Sequence, residues 1–97
     1  MAEASTIETT RIIVTGFVQG VGYRAWVQEE AHELQLSGWV RNRTDGSVEA
    51  VVHGDKNKIA DLLRACKQGP AMSRVDKVTS EPAEYDGVEG FRIEKTV

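Results

Sequence analysis

The chain has 97 residues, of which 40% are hydrophobic and 28% are charged, and its net charge is −3. This length suits one domain with a single core, and the acidic balance excludes a general attraction to nucleic acid or to an anionic membrane. The start MAEASTIETT has no basic residue and no apolar run, so it is not a signal peptide, and no apolar stretch is long enough to span a membrane. Cys66 is the single cysteine, which favours a reducing, cytoplasmic location.

The first part of the chain predicts a strand, a glycine-rich loop and a helix. Residues 1–9 are polar, and we expect a flexible tail there, followed by one domain over residues 10–97. The β-branched run over residues 11–18 predicts a strand. After the loop, apolar residues recur at spacings of three and four over residues 23–36, which predicts an amphipathic helix that stops before Gly38.

The rest of the chain predicts a hairpin, a second helix and two final strands. Strand patterns are found over residues 38–43, 47–54, 73–80 and 91–95. Asp45-Gly46 lies between the first two of these strands, and such a pair is a strong hairpin signal. Asp55 suits the N-cap of the second helix, which ends at Gly69.

The order of these elements predicts an α+β fold. The pattern β-α-β-β-α-β, with one short extra C-terminal strand, is that of the ferredoxin-like split β-α-β sandwich, an antiparallel sheet with two helices packed on one face. Right-handed crossovers leave room for one strand, so the third strand should lie between the first and the second. The ends of the first two strands then lie at the same edge of the sheet, roughly 10 Å apart.

The segment GFVQGVGYR, residues 16–24, brings three glycines to the predicted start of the first helix. A glycine turn that leads into a helix can direct several main-chain N–H groups at one anion, phosphate above all. Arg24 lies in the first helical turn, where a cation opposes the helix dipole by up to about 1 kcal/mol unless an anion binds there. The segment is neither a Walker A motif nor G-x-G-x-x-G, so it does not predict a nucleotide site.

Asn42 lies at the same predicted edge, at the end of the second strand. Asparagine is uncommon in strands because its amide competes with the backbone ladder. Alternation places it on the side of Val40, while Trp39 and Arg41 point to the other side. Asn42 therefore either shares a small ligand with Arg24 or only begins the hairpin turn.

Two segments of the sequence resemble the signatures of the acylphosphatase family. They are GFVQGVGYR at residues 16–24, and GWVRN at residues 38–42 followed by GSVE at residues 46–49. The resemblance extends over nearly the whole chain, from the first strand to FRIEK. It implies hydrolysis of the carboxyl-phosphate bond of an acyl phosphate to a carboxylate and inorganic phosphate, without a metal or cofactor, and phosphate would also be a competitive inhibitor.

The resemblance also implies roles for individual residues. Arg24 and the main-chain amides of the loop would bind the phosphoryl oxygens, and the side-chain amide of Asn42 would orient the attacking water. The phosphate-binding loop implied in this way consists of Gln19, Gly20, Val21, Gly22, Tyr23 and Arg24.

This chemistry suits the residues for an independent reason. The expected site has no serine or cysteine nucleophile with a base and no pair of carboxylates. An acyl phosphate, however, expels a carboxylate, which needs no proton to leave, and phosphoryl transfer mainly requires positioning and charge stabilisation. The proton of the water would go to the substrate phosphate or be lost late.

Other functions fit the sequence less well. An RNA-recognition module of this fold needs aromatic residues on its central strands, and SVEAVVHG has none. A metallochaperone needs paired cysteines. A regulatory domain that binds a small anion without turnover remains the alternative, and Asn42 discriminates because a sensor needs no residue to orient water. The fold also begins larger carbamoyl-transfer proteins, but we expect this chain to be free-standing and monomeric, with broad tolerance of the acyl group.

The remaining polar residues predict no second site. His32 and His53 are too far apart in the sequence to form a metal site with one cysteine. Cys66 lies on the apolar stripe of the second helix and is expected in the core. Arg41 and Arg43 are expected to face solvent, where they would raise the local positive potential.

Overall fold

The structure, a computed structural model, describes residues 6–97. Within them the chain forms five strands and two helices. These elements are β1 (Ile7–Phe17), α1 (Tyr23–Glu33), β2 (Ser37–Asn42), β3 (Val48–Asp55), α2 (Lys56–Gln68), β4 (Arg74–Pro82) and β5 (Phe91–Ile93).

The strands form one sheet in the order β4-β1-β3-β2-β5. As predicted, β3 lies between β1 and β2 and is antiparallel to both. The extra strand β5 pairs in parallel with β2, so the five-stranded sheet is mixed rather than antiparallel throughout. This follows from the path of residues 83–90, in which the chain reverses direction while it passes from the β4 edge to the β2 edge.

Both helices pack on one face of the sheet, which confirms the predicted ferredoxin-like sandwich. The predicted apolar stripes lie on the inward faces of the helices, because three positions of each helix are buried. These residues are Tyr23, Val27 and Ala31 in α1, and Ile59, Leu62 and Cys66 in α2. Alternate residues of the central strands, among them Ile12, Val40 and Val52, complete the core.

Several boundaries differ from the prediction for identifiable reasons. β1 begins at Ile7, because this residue already pairs with Asp55 of β3. Residues 7–9 of the predicted tail thus belong to the strand, and residues 1–5 lie outside the described part of the chain. α1 ends before Leu36, since Gln35 adopts a φ of 60° and the N–H of Leu36 donates to the carbonyl of Ala31. This is a helix-ending motif that usually contains glycine, which the sequence lacks at this position.

Candidate functional site

The loop between β1 and α1 depends on glycine because of its backbone conformation. Gly20 and Gly22 have φ angles of 75° and 80°, in the left-handed region that favours glycine. A Cβ added at either position would meet no atom of residues 6–97 within 4 Å. The space beside the loop is therefore open, and the main chain of the loop is accessible to a ligand.

As far as the structure describes the chain, the N-terminus of α1 has none of the side-chain groups that usually cap a helix. Its N-cap is Gly22, which has no side chain, and its first turn contains no acidic residue. The first N–H groups of a helix have no partner within the helix, and together with the helix dipole they attract anions. This end of α1 is thus suited to a negatively charged ligand.

The side chains of the predicted phosphate loop anchor it to the rest of the protein. The amide of Gln19 donates to the carbonyl oxygens of Arg43 and Ser47, at 2.8 Å each. The hydroxyl of Tyr23 donates to the carbonyl of Cys66 at 2.7 Å, and Val21 packs against the core. Gln19 and Val21 do not line the cavity described below, whereas Gly20, Gly22 and Tyr23 do.

Within the described residues, Arg24 differs from the other arginines because it has no carboxylate partner. Within residues 6–97, each of the other arginines forms at least one salt bridge. They are Arg11, Arg41, Arg43, Arg64, Arg74 and Arg92. No such bridge involves Arg24 in this part of the chain, and Arg24 is one of the residues that line the cavity described below. Its guanidinium is therefore available to an anionic ligand.

The loop, the start of α1 and the ends of β2 and β5 line a cavity of about 220 Å³ that is open to solvent. Its lining residues are Val18, Gly20, Gly22, Tyr23, Arg24, Ala25, Asn42 and Ile93. The structure thus brings Arg24 and Asn42 to the same cavity, at the sheet edge where the topology predicted them. The Oδ1 atom of Asn42 is buried and has no hydrogen-bond partner among the described residues. A buried oxygen of this kind favours a donor such as water.

The face of the sheet that is not covered by the helices carries a charge cluster that the sequence did not predict. Glu49 of β3 is buried, and its carboxylate accepts from Arg11, Arg41 and Arg43 at 2.6, 2.8 and 3.0 Å. Burial raises the pKa of Glu49, but the three arginines outweigh it and the pKa is lower than usual. Arg41 also lies over the ring of Trp39, at 4.5 Å. Arg41 and Arg43 are on the predicted face, but they bind Glu49 instead of serving only as free surface charges.

Burial also changes the acidity of two groups beneath the loop. It raises the pKa of the Cys66 thiol to about 11. Burial likewise raises the pKa of the Tyr23 phenol far above its ordinary value, and the neighbouring Cys66 adds to this effect. Both groups are therefore neutral near neutral pH, and neither supplies a charge to the cavity.

The other candidates lie away from this cavity. His32 is exposed. His53 bonds through Nδ1 to Thr9 at 2.7 Å and stacks on Tyr85 with ring centroids 3.9 Å apart. Among residues 6–97, no group of three His, Cys, Asp or Glu side chains could bind a metal ion. Neither helix is long and apolar enough to cross a membrane.

Comparison with known proteins gives a consistent result. A model of the acylphosphatase family matches residues 10–93. The chain is 55% identical over 76 residues to an acylphosphatase from Bradyrhizobium diazoefficiens, which covers 78% of this chain and 77% of that protein. The crystal structure of acylphosphatase from Bacillus subtilis is 39% identical, with a TM-score of 0.86, over 92% of this chain and 99% of that one. An acylphosphatase from Coxiella burnetii, 35% identical, has a TM-score of 0.87 and covers 91% of this chain and 93% of its own.

The family model, the relatives and the solved structures each match most of the chain, and the range that the family model matches includes the glycine loop and Arg24. The chain therefore belongs to the acylphosphatase family.

Proposed function

We propose that the protein hydrolyses acyl phosphates at the cavity between the loop and β2. The main support is that this one cavity contains an arginine without a carboxylate partner and a buried amide oxygen without a hydrogen bond, within residues 6–97. An anion would pair with the guanidinium of Arg24, and a water molecule would donate a hydrogen bond to Oδ1 of Asn42. A phosphoryl group with an adjacent water supplies both.

In this proposal the phosphoryl group lies between Arg24 and the main-chain N–H groups at the start of α1. Charge-assisted hydrogen bonds from guanidinium and from helix N-termini are the usual means of binding phosphate. Gly20 and Gly22 leave the main chain uncovered there, because neither has a side chain and no atom of the described residues lies within 4 Å of the position of a Cβ. The positive groups also stabilise the charge that spreads over the phosphoryl oxygens in the transition state.

Asn42 orients the nucleophile. Its side-chain amide binds a water molecule, with Oδ1 accepting one of the hydrogens, and directs the water oxygen at phosphorus. The bond from water oxygen to phosphorus forms while the bond from phosphorus to the acyl oxygen breaks, and the carboxylate leaves with the bonding electron pair. The products are the carboxylate and inorganic phosphate.

The proton of the water goes to a phosphoryl oxygen of the substrate, or is lost after the new bond has formed. The residues that line the cavity in the described part of the chain include no carboxylate, imidazole or thiol. The nearby Tyr23 phenol has a pKa far above its ordinary value and donates to Cys66. A carboxylate leaving group needs no general acid, so positioning and charge stabilisation are sufficient.

The first test is hydrolysis of benzoyl phosphate by the purified protein in excess EDTA. We expect turnover that the chelator does not affect, and competitive inhibition by inorganic phosphate. Arg24→Ala should lose at least about 100-fold in kcat/KM, together with phosphate inhibition. Arg64→Ala is the matched control, because Arg64 is 70% exposed on α2 and should leave both properties unchanged.

Asn42→Ala separates catalysis from binding. We expect this variant to lose most of its turnover, with a small residual kcat, while phosphate still binds. If the wild type bound phosphate but turned over no acyl phosphate, the chain would be an anion-binding regulatory domain instead. Retained activity in Asn42→Ala would assign Asn42 to the hairpin turn alone. The cytoplasmic location and the monomeric state remain predictions, and sedimentation of the purified protein tests the second.

A further inference from the structure

The side chain of Gln19 connects two parts of the proposed active site. Its Nε2 atom donates both hydrogens, one to the carbonyl of Arg43 and one to the carbonyl of Ser47, at 2.8 Å each. Gln19 precedes the loop glycines, and Arg43 directly follows Asn42. The bonds therefore join the phosphate-binding loop to the strand end that carries the water-binding amide.

The two carbonyls that Gln19 binds belong to the pair that closes the β2–β3 hairpin. The N–H of Arg43 donates to the carbonyl of Ser47 at 2.9 Å, and the N–H of Gly46 donates to the carbonyl of Arg43 at 3.1 Å. Asp45 further fixes this turn, because it accepts from the N–H and the hydroxyl of Ser47 at 2.9 and 2.6 Å. Gln19 thus binds a part of the hairpin that several hydrogen bonds already fix.

The sheet itself does not supply an equivalent connection. β1 and β2 are not neighbours, since β3 lies between them. The loop leaves the end of β1, so its position relative to Asn42 depends on contacts that reach across the end of β3. Among residues 18–22, as far as the structure describes side-chain hydrogen bonds, only Gln19 makes such a contact with the hairpin.

We propose that Gln19 is a positioning residue that sets the distance between the phosphate-binding loop and the amide of Asn42. This inference rests on the proposed function. Gln19 does not line the cavity, so it acts through the two elements it joins. Arg24 and the loop amides belong to one segment and bind phosphate together, whereas water attack also needs Asn42 in register with them. Loss of the connection should therefore impair turnover more than phosphate binding.

The test is Gln19→Met, which keeps the length of the side chain and removes both donors. Gln28→Met is the matched control, because the amide of Gln28 also donates to a main-chain carbonyl, that of Phe91, at 3.1 Å, but outside the cavity. For Gln19→Met we expect kcat with benzoyl phosphate to fall about 10- to 100-fold, as misplaced reacting groups do. The inhibition constant of inorganic phosphate should stay within about threefold of the wild-type value, since the loop itself is intact.

A double variant shows whether Gln19 acts through Asn42. In the Asn42→Ala background, Gln19→Met should lower the residual kcat by no more than about twofold, because the group it positions is absent. If Gln19→Met lowered kcat as much in the Asn42→Ala background as in the wild type, the proposal would be overturned. An unchanged kcat in a folded Gln19→Met protein would also overturn it. Loss of phosphate inhibition together with kcat would assign Gln19 to the phosphate site and also overturn it.

Folding and function remain separable in this design. Urea unfolding identifies conditions in which each variant is native. If Gln19→Met does not fold, Gln19→Asn replaces it. Asparagine keeps the donors but is one methylene too short to reach both carbonyls. The same outcomes then support or overturn the proposal. Turnover by the wild-type protein tests the proposed function independently, so a failure of either inference is recognisable.

Discussion

Replacement of Glu49 with glutamine tests the cluster of Glu49 and three arginines on the face of the sheet that the helices do not cover. The Glu49 side chain is 4% exposed and accepts hydrogen bonds from arginines of β1, β2 and the following turn. Glutamine has the same shape but no charge, and its NH₂ group would face a guanidinium. The change therefore removes the shared counterion of three arginines without creating a cavity.

The expected loss follows from burial and from the number of bonds. Removal of one partner of a fully buried ion pair costs about 3–5 kcal/mol. The three arginine side chains are 27–34% exposed, so solvent screens part of each interaction. We therefore expect the free energy of unfolding to fall by about 2–3 kcal/mol near neutral pH.

The same loss should depend on pH in a defined direction. The pKa of Glu49 is lower in the folded protein than its ordinary value of 4.5, although burial by itself raises it. A lowered pKa contributes stability above the ordinary value, and this contribution disappears as the pH falls through the folded pKa. The difference between wild type and Glu49→Gln should thus be constant above 4.5 and shrink at lower pH.

Urea unfolding at a series of pH values measures this difference directly. Glu81→Gln is the control, because Glu81 also pairs with Arg11 but is 61% exposed. It should change stability by less than about 1 kcal/mol. A Glu49→Gln protein as stable as the wild type near neutral pH, or a difference that does not shrink in acid, would refute the argument.

Two further substitutions and one labelling experiment test the cavity and the core. Without phosphate, Arg24→Ala should be as stable as the wild type or more stable by about 0.3–1 kcal/mol, because Arg24 opposes the dipole of α1; a large loss in urea unfolding would contradict this. Ile93 is 42% exposed and lines the cavity with apolar surface. Ile93→Ser should therefore raise KM for benzoyl phosphate several-fold and leave the inhibition constant of phosphate unchanged. Equal changes in KM and in the inhibition constant would refute this. Cys66, with a pKa of about 11, should react with thiol reagents only after unfolding, and rapid labelling of native protein would disprove its burial.

The fold was predictable because each of its elements carries a local signal. The apolar stripes of both helices, the Asp45-Gly46 hairpin and the capping side chain of Asp55, which accepts from the N–H of Asn57 at 2.8 Å, are visible in the sequence. The direction of β5 was not predictable in this way. It depends on the path of residues 83–90, where Tyr85 stacks on His53 and the N–H of Gly38 donates to Gly90, and these contacts join distant parts of the chain.

The candidate site was predictable only in part. The glycines, Arg24 and Asn42 stand out because each is unusual for its place in a helix or strand. Gln19 was assigned to the loop, but its bonds to Arg43 and Ser47 depend on how the loop and the hairpin approach each other. The position of Ile93 beside the cavity depends on the parallel pairing of β5 with β2. A single sequence contains no local signal for either contact.

The distribution of arginine partners supports the anion-binding interpretation of the loop. Three arginines form salt bridges with the buried Glu49, so guanidinium groups elsewhere in this fold do have carboxylate partners. Arg24 has no such partner within the described residues, although α1 contains three glutamates, at positions 29, 30 and 33. All three lie beyond the first turn, towards the C-terminus of α1, where a carboxylate opposes the helix dipole instead of complementing it. Within residues 6–97, the start of α1 therefore retains positive charge without a carboxylate partner, and this favours an anionic ligand such as a phosphoryl group.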